Sequence, residues 1–181
     1  MLTNIEFYIG PDGSVNIKPL NEPMYVYEQK CRNITDEMIV LIRDLYPKAF
    51  AALSKIYSST ERNKDLYEYK IVHRFIRCNL GEYDALSFDI NHNGAINLEM
   101  VKCPLRGECV HECVICRPEL NSVLSAREQE VAELLGKGLN RQEIADELYI
   151  SVYTVSRHID NIKARLGVKS TQQIAVRYAQ A

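Results

Sequence analysis

The chain has 181 residues, 46% hydrophobic and 25% charged, with 8 Gly, 6 Pro, 6 Cys and no Trp. That length suits one or two domains, and so little Gly and Pro excludes a collagen-like or disordered chain. A net charge of −2 excludes a uniformly polybasic nucleic-acid binder, so any basic surface must be regional.

The opening MLTNIEFYIG lacks the basic and long apolar regions of a secretory signal. No apolar run reaches the roughly 18–20 residues that cross a bilayer. A soluble, cytoplasmic protein with no membrane partner is expected. In a reducing compartment, clustered cysteines point to metal ligands or free thiols before disulfides.

The first hundred residues read as α+β. Residues 4–9 alternate as a strand, Gly10-Pro11-Asp12-Gly13 is a turn, and residues 14–18 alternate again, which predicts a hairpin. Ile39, Ile42, Leu45, Ala49, Leu53 and Ile56 then share a helical face within 34–58, with Asn33 or Thr35 as cap. Pro47 should kink or split that helix. A second helix is expected from about Glu61 to Cys78, with Leu66, Ile71, Val72 and Phe75 inward. Residues 85–90 and 95–101 flank Asn93-Gly94, the signal of a second hairpin whose turn residues both take positive φ. Asp89, Asn91, Asn93 and Gly94 also match the start of a calcium-binding EF-hand loop. The match fails at Met100, where a bidentate Glu is needed, and the flanks are strand-like, so the hairpin reading is kept.

Residues 102–120, KCPLRGECVHECVICRPEL, form a Cys- and Pro-containing connector between an α+β domain at 1–101 and an all-α domain at 121–181. In the latter, Ser125 with Glu128 fits a capping box, and Val131, Leu134 and Leu135 share a face. Asn140 opens a second helix, with Ile144, Ala145 and Leu148 inward. Ser151 caps a third, whose Val152, Val155, Ile159, Ile162 and Leu166 form a buried stripe opposite Tyr153, Ser156, Arg157, Asp160 and Lys163. Gly167 stops it, and Ser170 or Thr171 caps a fourth.

Two short helices joined by the tight Tyr149-Ile150-Ser151 connection, the second amphipathic, is a helix-turn-helix pattern. A plain bundle with a solvated face is the alternative. Charge separates them. Residues 121–150 carry a balance of −3, whereas 151–181 carry +4, from Arg157, Lys163, Arg165, Lys169 and Arg177 against Asp160. Positive charge gathers where a recognition helix would meet phosphates.

These residues carry a resemblance. Four blocks, LSAREQEV at 124–131, NRQEIA at 140–145, SVYTVSRHI at 151–159 and IKARLGV at 162–168, resemble the LuxR/GerE-type helix-turn-helix domain. The resemblance covers about a third of the chain. It implies a four-helix domain whose third helix enters the major groove of double-stranded DNA, often as a homodimer paired through the fourth. It puts base-edge positions on Ser156, Arg157 and Asp160. It puts backbone contacts on Thr154, Lys163, Arg165, Lys169 and Ser170, and divides His158 between phosphate contact and helix packing. The chain departs from the family at Ser156, where many members have Lys, and at Asp160, often basic. Arg157 has the fork to read guanine, and Asp160 can accept from cytosine or orient Arg157.

Cys103, Cys109, Cys113 and Cys116, with His111 among them, are spaced to close a tetrahedral zinc site of four thiolates, or of three thiolates and one imidazole. An iron–sulfur cluster on the same four thiolates is a second reading, and free thiols a third. A metal at this place would make the chain a metal- or redox-responsive switch. Cys31 and Cys78 read as buried free thiols. The N-terminal domain holds eight of eleven tyrosines, which could line an effector pocket or interface for a small molecule or protein. A phosphate-accepting receiver needs an acidic pair, a strand-end Asp and a Lys in a doubly wound fold, which the predicted order of elements does not provide, and the chain has no Trp for an autoinducer pocket. His73, His92 and Cys78 are the residues of catalytic type there, in no nucleophile or acid–base arrangement, so no enzyme is expected.

Overall fold

The computed structural model describes residues 2–83, 87–121 and 123–179. It comprises two compact units, Met1–Leu120 and Asn121–Ala181.

In the first unit, β1 (Ile5–Ile9) and β2 (Val15–Pro19) pair antiparallel with Phe7 opposite Ile17. The turn closes through Gly10 N to Ser14 O, and Gly13 takes φ 82°, where a side chain would be strained. A short β3 (Tyr25–Val26) adds to β2. It lies in a stretch with no alternating pattern, and its two residues are exposed, which leaves no periodic signal to read. Helices α1 (Arg32–Leu45), α2 (Pro47–Ile56) and α3 (Lys64–Asn79) complete the regular elements of this unit. Pro47 splits α1 from α2 and serves as the first residue of α2, where its missing N–H costs nothing.

Two local expectations need correction. Neither Asn33 nor Thr35 caps α1, which starts at Arg32 without a side-chain cap. Thr35 is fully buried instead, its hydroxyl bonded to Tyr27 Oη at 2.7 Å and to Cys31 O at 3.2 Å. Helix α3 starts later than expected, at Lys64, because Asn63 Oδ1 accepts from Leu66 N. Residues 58–60 form a separate 3-10 turn.

The second hairpin is also corrected. Part of its first strand, 85–86, lies outside the described residues. The remainder makes two isolated bridges, Ile5–Ile90 and Ile90–Ile96, and no ladder among the described residues. Gly94 takes φ 75°, but Asn93 has no positive φ. Asn91 Oδ1 accepts from Asn93 N and Ala95 N, so an Asx turn replaces the expected two-residue turn. Asp89 is 1% exposed and accepts from Phe7 N at 2.7 Å. That commits it to the fold and removes the calcium reading.

Phe7, Ile17, Ile34, Met38, Ile42, Leu53, Ile71 and Phe75 are fully or almost fully buried together, each contributing about 1.5–3 kcal/mol by leaving water. Ile115, 1% exposed, belongs to the same core, so residues 102–120 fold onto the first unit. The antiparallel sheet is not the doubly wound parallel sheet of a receiver.

The second unit contains α4 (Ala126–Gly136), α5 (Arg141–Leu148), α6 (Val152–Leu166) and α7 (Thr171–Tyr178). Ser125–Glu128, Asn140–Glu143 and Ser170–Gln173 each form reciprocal capping boxes. Gly167 ends α6 at φ 66°. Val131, Leu135, Ile144, Val155, Ile159, Ile162 and Ile174 form the core. No helix among the described residues is long and apolar enough to cross a membrane.

Candidate nucleic-acid interface

Helix α5 ends at Tyr149, which is left-handed at φ 54° and 95% exposed. Ile150 N returns to Ala145 O at 3.0 Å. Ser151 Oγ then accepts from Thr154 N at 3.0 Å and starts α6. The chain thus turns within three residues between two capped helices, and the core stripe holds one face of α6 against α4, α5 and α7.

The opposite face presents the expected candidates with different freedoms. Ser156 and Arg157 are half-buried, and Arg157 forms no ion pair among the described residues. Asp160 Oδ1 pairs with Lys163 Nζ at 2.6 Å, one turn along. Thr154 Oγ1 shares a hydrogen bond with Ser151 Oγ at 2.8 Å. Lys169 is exposed, its N–H and that of Ser170 both donating to Gln173 Oε1. The Ser170 hydroxyl caps α7. His158 is half-buried with Nδ1 shielded from solvent, as is the Tyr153 hydroxyl. Tyr153 is therefore less outward than its place opposite the stripe suggests.

Arg165 is the clear correction. Its side chain is 0% exposed and Glu128 is 1% exposed. Arg165 Nε lies 3.2 Å from Glu128 Oε2, and Nη1 donates to Val123 O at 2.5 Å. Glu128 Oε2 also accepts from Ser125 N and Oγ. A buried cation cannot meet a phosphate. Arg165 instead ties the end of α6 to the start of α4. Its position beside Ile162 and Leu166 on the helix was the available sign, since it flanks the apolar stripe.

The connector thiols are likewise rearranged. Among the described residues, no three His, Cys, Asp or Glu side chains converge closely enough to hold one metal ion. The zinc reading for Cys103, Cys109, Cys113 and Cys116 is therefore not supported by a preformed tetrahedral site. Cys113 takes φ 59° and is exposed. Cys103, Cys109 and Cys116 line a pocket in the first unit with Cys78 of α3. Burial pushes the Cys78 thiol pKa up, against the lowering effect of Arg74, and the nearby Cys116, Cys103 and Cys109 push it further up. Asn79, fully buried, donates from Nδ2 to Ile115 O and accepts on Oδ1 from Arg117 N, each at 2.9 Å. Both neighbours of Cys116 are thereby clamped beside Cys78. Sequence spacing could not reveal this, because 24 residues separate Cys78 from Cys103. The tyrosines do not line this pocket. Tyr27, Tyr69 and His73 pack ring against ring instead.

The capped helix pair, the tight turn and the solvent-facing side of α6 define a helix-turn-helix domain. Residues 122–178 match the family described as bacterial regulatory proteins, luxR family. The chain is 47% identical over 53 residues to the transcriptional regulatory protein LnrK of Bacillus subtilis, covering 29% of this chain and 24% of that protein. It is 33% identical over 141 residues to the response regulator protein VraR of Staphylococcus epidermidis, covering 68% and 66%. It is 44% identical over 57 residues to the oxygen regulatory protein NreC of Staphylococcus aureus, covering 32% and 26%. The chain thus spans from about a quarter to just under two thirds of these relatives. It carries, at residues 122–178, a helix-turn-helix domain of the LuxR family.

Proposed function

We propose that this chain is a sequence-specific DNA-binding transcription regulator that acts as a homodimer in the cytoplasm. The first unit would serve as its regulatory module, taking a small-molecule or protein effector. The observation that carries the reading is Arg157, without an ion pair among the described residues, on the outward face of a capped α6 within a LuxR-family domain. Ser156 and Arg157 supply base-edge groups, and the Arg157 fork suits guanine O6 and N7. Lys163, Lys169 and the Thr154 and Ser170 hydroxyls supply the phosphate contacts that set register. The pairing of Asp160 with Lys163 lowers the local repulsion a carboxylate would bring to phosphates. His158 contributes to helix packing through the shielded side of its ring.

Selection from random duplex DNA with the full chain tests this. A palindromic enriched site is expected. Arg157→Ala should weaken binding to that site by about 1–3 kcal/mol and relax its sequence preference at one position. A uniform loss on all sequences would assign Arg157 to phosphate alone. No enrichment and no salt dependence would overturn the reading.

A further inference from the structure

We propose that the first unit binds an iron–sulfur cluster through Cys78, Cys103, Cys109 and Cys116, with Cys113 outside the ligand set. The four thiols line one pocket, and Cys113 does not. They come from two separate segments, the end of α3 and the 102–117 loop, brought together by the Asn79 clamp on Ile115 and Arg117.

The donor set and the charge around it select the occupant: four thiols and three arginines line the same pocket. Four thiolates around a single zinc ion at about 2.3 Å would crowd together, and no three donors among the described residues do so. Four thiolates sharing two or more irons stand further apart, because each iron takes only part of the set. Ligation releases the thiol protons, and four thiolates leave an iron–sulfur core with net negative charge. Arg74, Arg106 and Arg117 line the same pocket and supply the opposite charge. The one lining carboxylate, Glu112, is occupied by Gly107 N at 2.7 Å. Arg106 is oriented by donating to Val101 O at 2.7 Å. Val101 and Ile115, both buried, give the pocket an apolar floor.

The test uses the full chain, purified without oxygen and reconstituted with ferric iron, sulfide and excess dithiothreitol. Iron, acid-labile sulfide and visible absorption are measured for the wild type, Cys78→Ser, Cys116→Ser and Cys113→Ser. Circular dichroism melts of the iron-free proteins keep ligand loss distinct from misfolding. The wild type should hold about two or four irons with equal sulfide and a broad visible band. Cys113→Ser should match it. Cys78→Ser and Cys116→Ser should lose iron affinity by more than the roughly 10–100-fold typical of outer-shell changes, with folding retained. The proposal is overturned if Cys113→Ser loses the cluster while Cys78→Ser keeps it. Stoichiometric zinc with no iron, or a wild type that takes up no metal, overturns it equally.

Discussion

Arg165→Met should strongly destabilise the C-terminal unit, where a phosphate-contacting arginine would only have weakened DNA binding. The substitution removes a fully buried cation and strands the Glu128 carboxylate, 1% exposed, beside the Ser125 N–H and hydroxyl that cap α4. Breaking one half of a buried pair costs about 3–5 kcal/mol. A unit of some sixty residues has only about 3–9 kcal/mol of total stability. The melting temperature should therefore fall by about 12 °C or more, at about 4–8 °C per kcal/mol for this size. Replacing both partners, in Glu128→Met/Arg165→Met, removes the stranded charge as well. It should recover all but the capping contribution of Glu128, about 0.5–2 kcal/mol. Circular dichroism melts and urea titrations of the full chain, followed at the transition of the second unit, measure both. Suppose Arg165→Met melted like the wild type and lowered the salt slope of DNA binding by about one unit. Arg165 would then be a phosphate contact, and the buried-pair argument would be wrong.

Gly136 closes α4 against α7, where an added Cβ would stand 2.7 Å from Tyr178 C and 2.8 Å from its O. Gly136→Ala should lose about 1–3 kcal/mol to that clash, partly offset by about 1 kcal/mol of helix propensity. A raised urea midpoint would refute the close packing. His73 is held below its usual pKa of 6.5 by burial first, and then by Arg77 and Arg74. The unfolded chain therefore takes up the proton more readily. The contribution is complete above about pH 6.5 and declines as pH falls below it. His73→Gln should flatten that decline in urea midpoints measured between pH 7 and 5, and an unchanged slope would count against it. Asn79→Ala strands Ile115 O and Arg117 N at the clamp. It should cost about 2–4 kcal/mol and speed proteolysis within 103–117, which timed digestion would show.

The local elements are legible because they are governed by neighbours in sequence. The Gly10–Gly13 turn, the Pro47 break, the capping boxes at Ser125 and Asn140, and the left-handed stop at Gly167 each rest on a few adjacent residues. The apolar stripe of α6 follows from helical periodicity alone, and the four blocks of the helix-turn-helix domain identify its family without coordinates. Features that depend on distant partners cannot be read this way. A charged residue near a recognition helix looks the same in sequence whether it faces water or the core. Only the contact with Glu128, from a helix more than thirty residues earlier, shows that Arg165 serves packing. Asp89 is recruited by Phe7 N across the sheet edge, which local motif matching cannot register. The thiols show the same division. Spacing groups Cys113 with its neighbours, but a left-handed backbone turns it outward, and tertiary packing brings Cys78 to the pocket instead. Which segments become helices, and which helix pair can read DNA, is written into the linear chain, because backbone propensity and periodicity are local. Which charges are buried and which sulfurs meet emerges with folding, because burial and proximity are set by chain segments far apart in sequence.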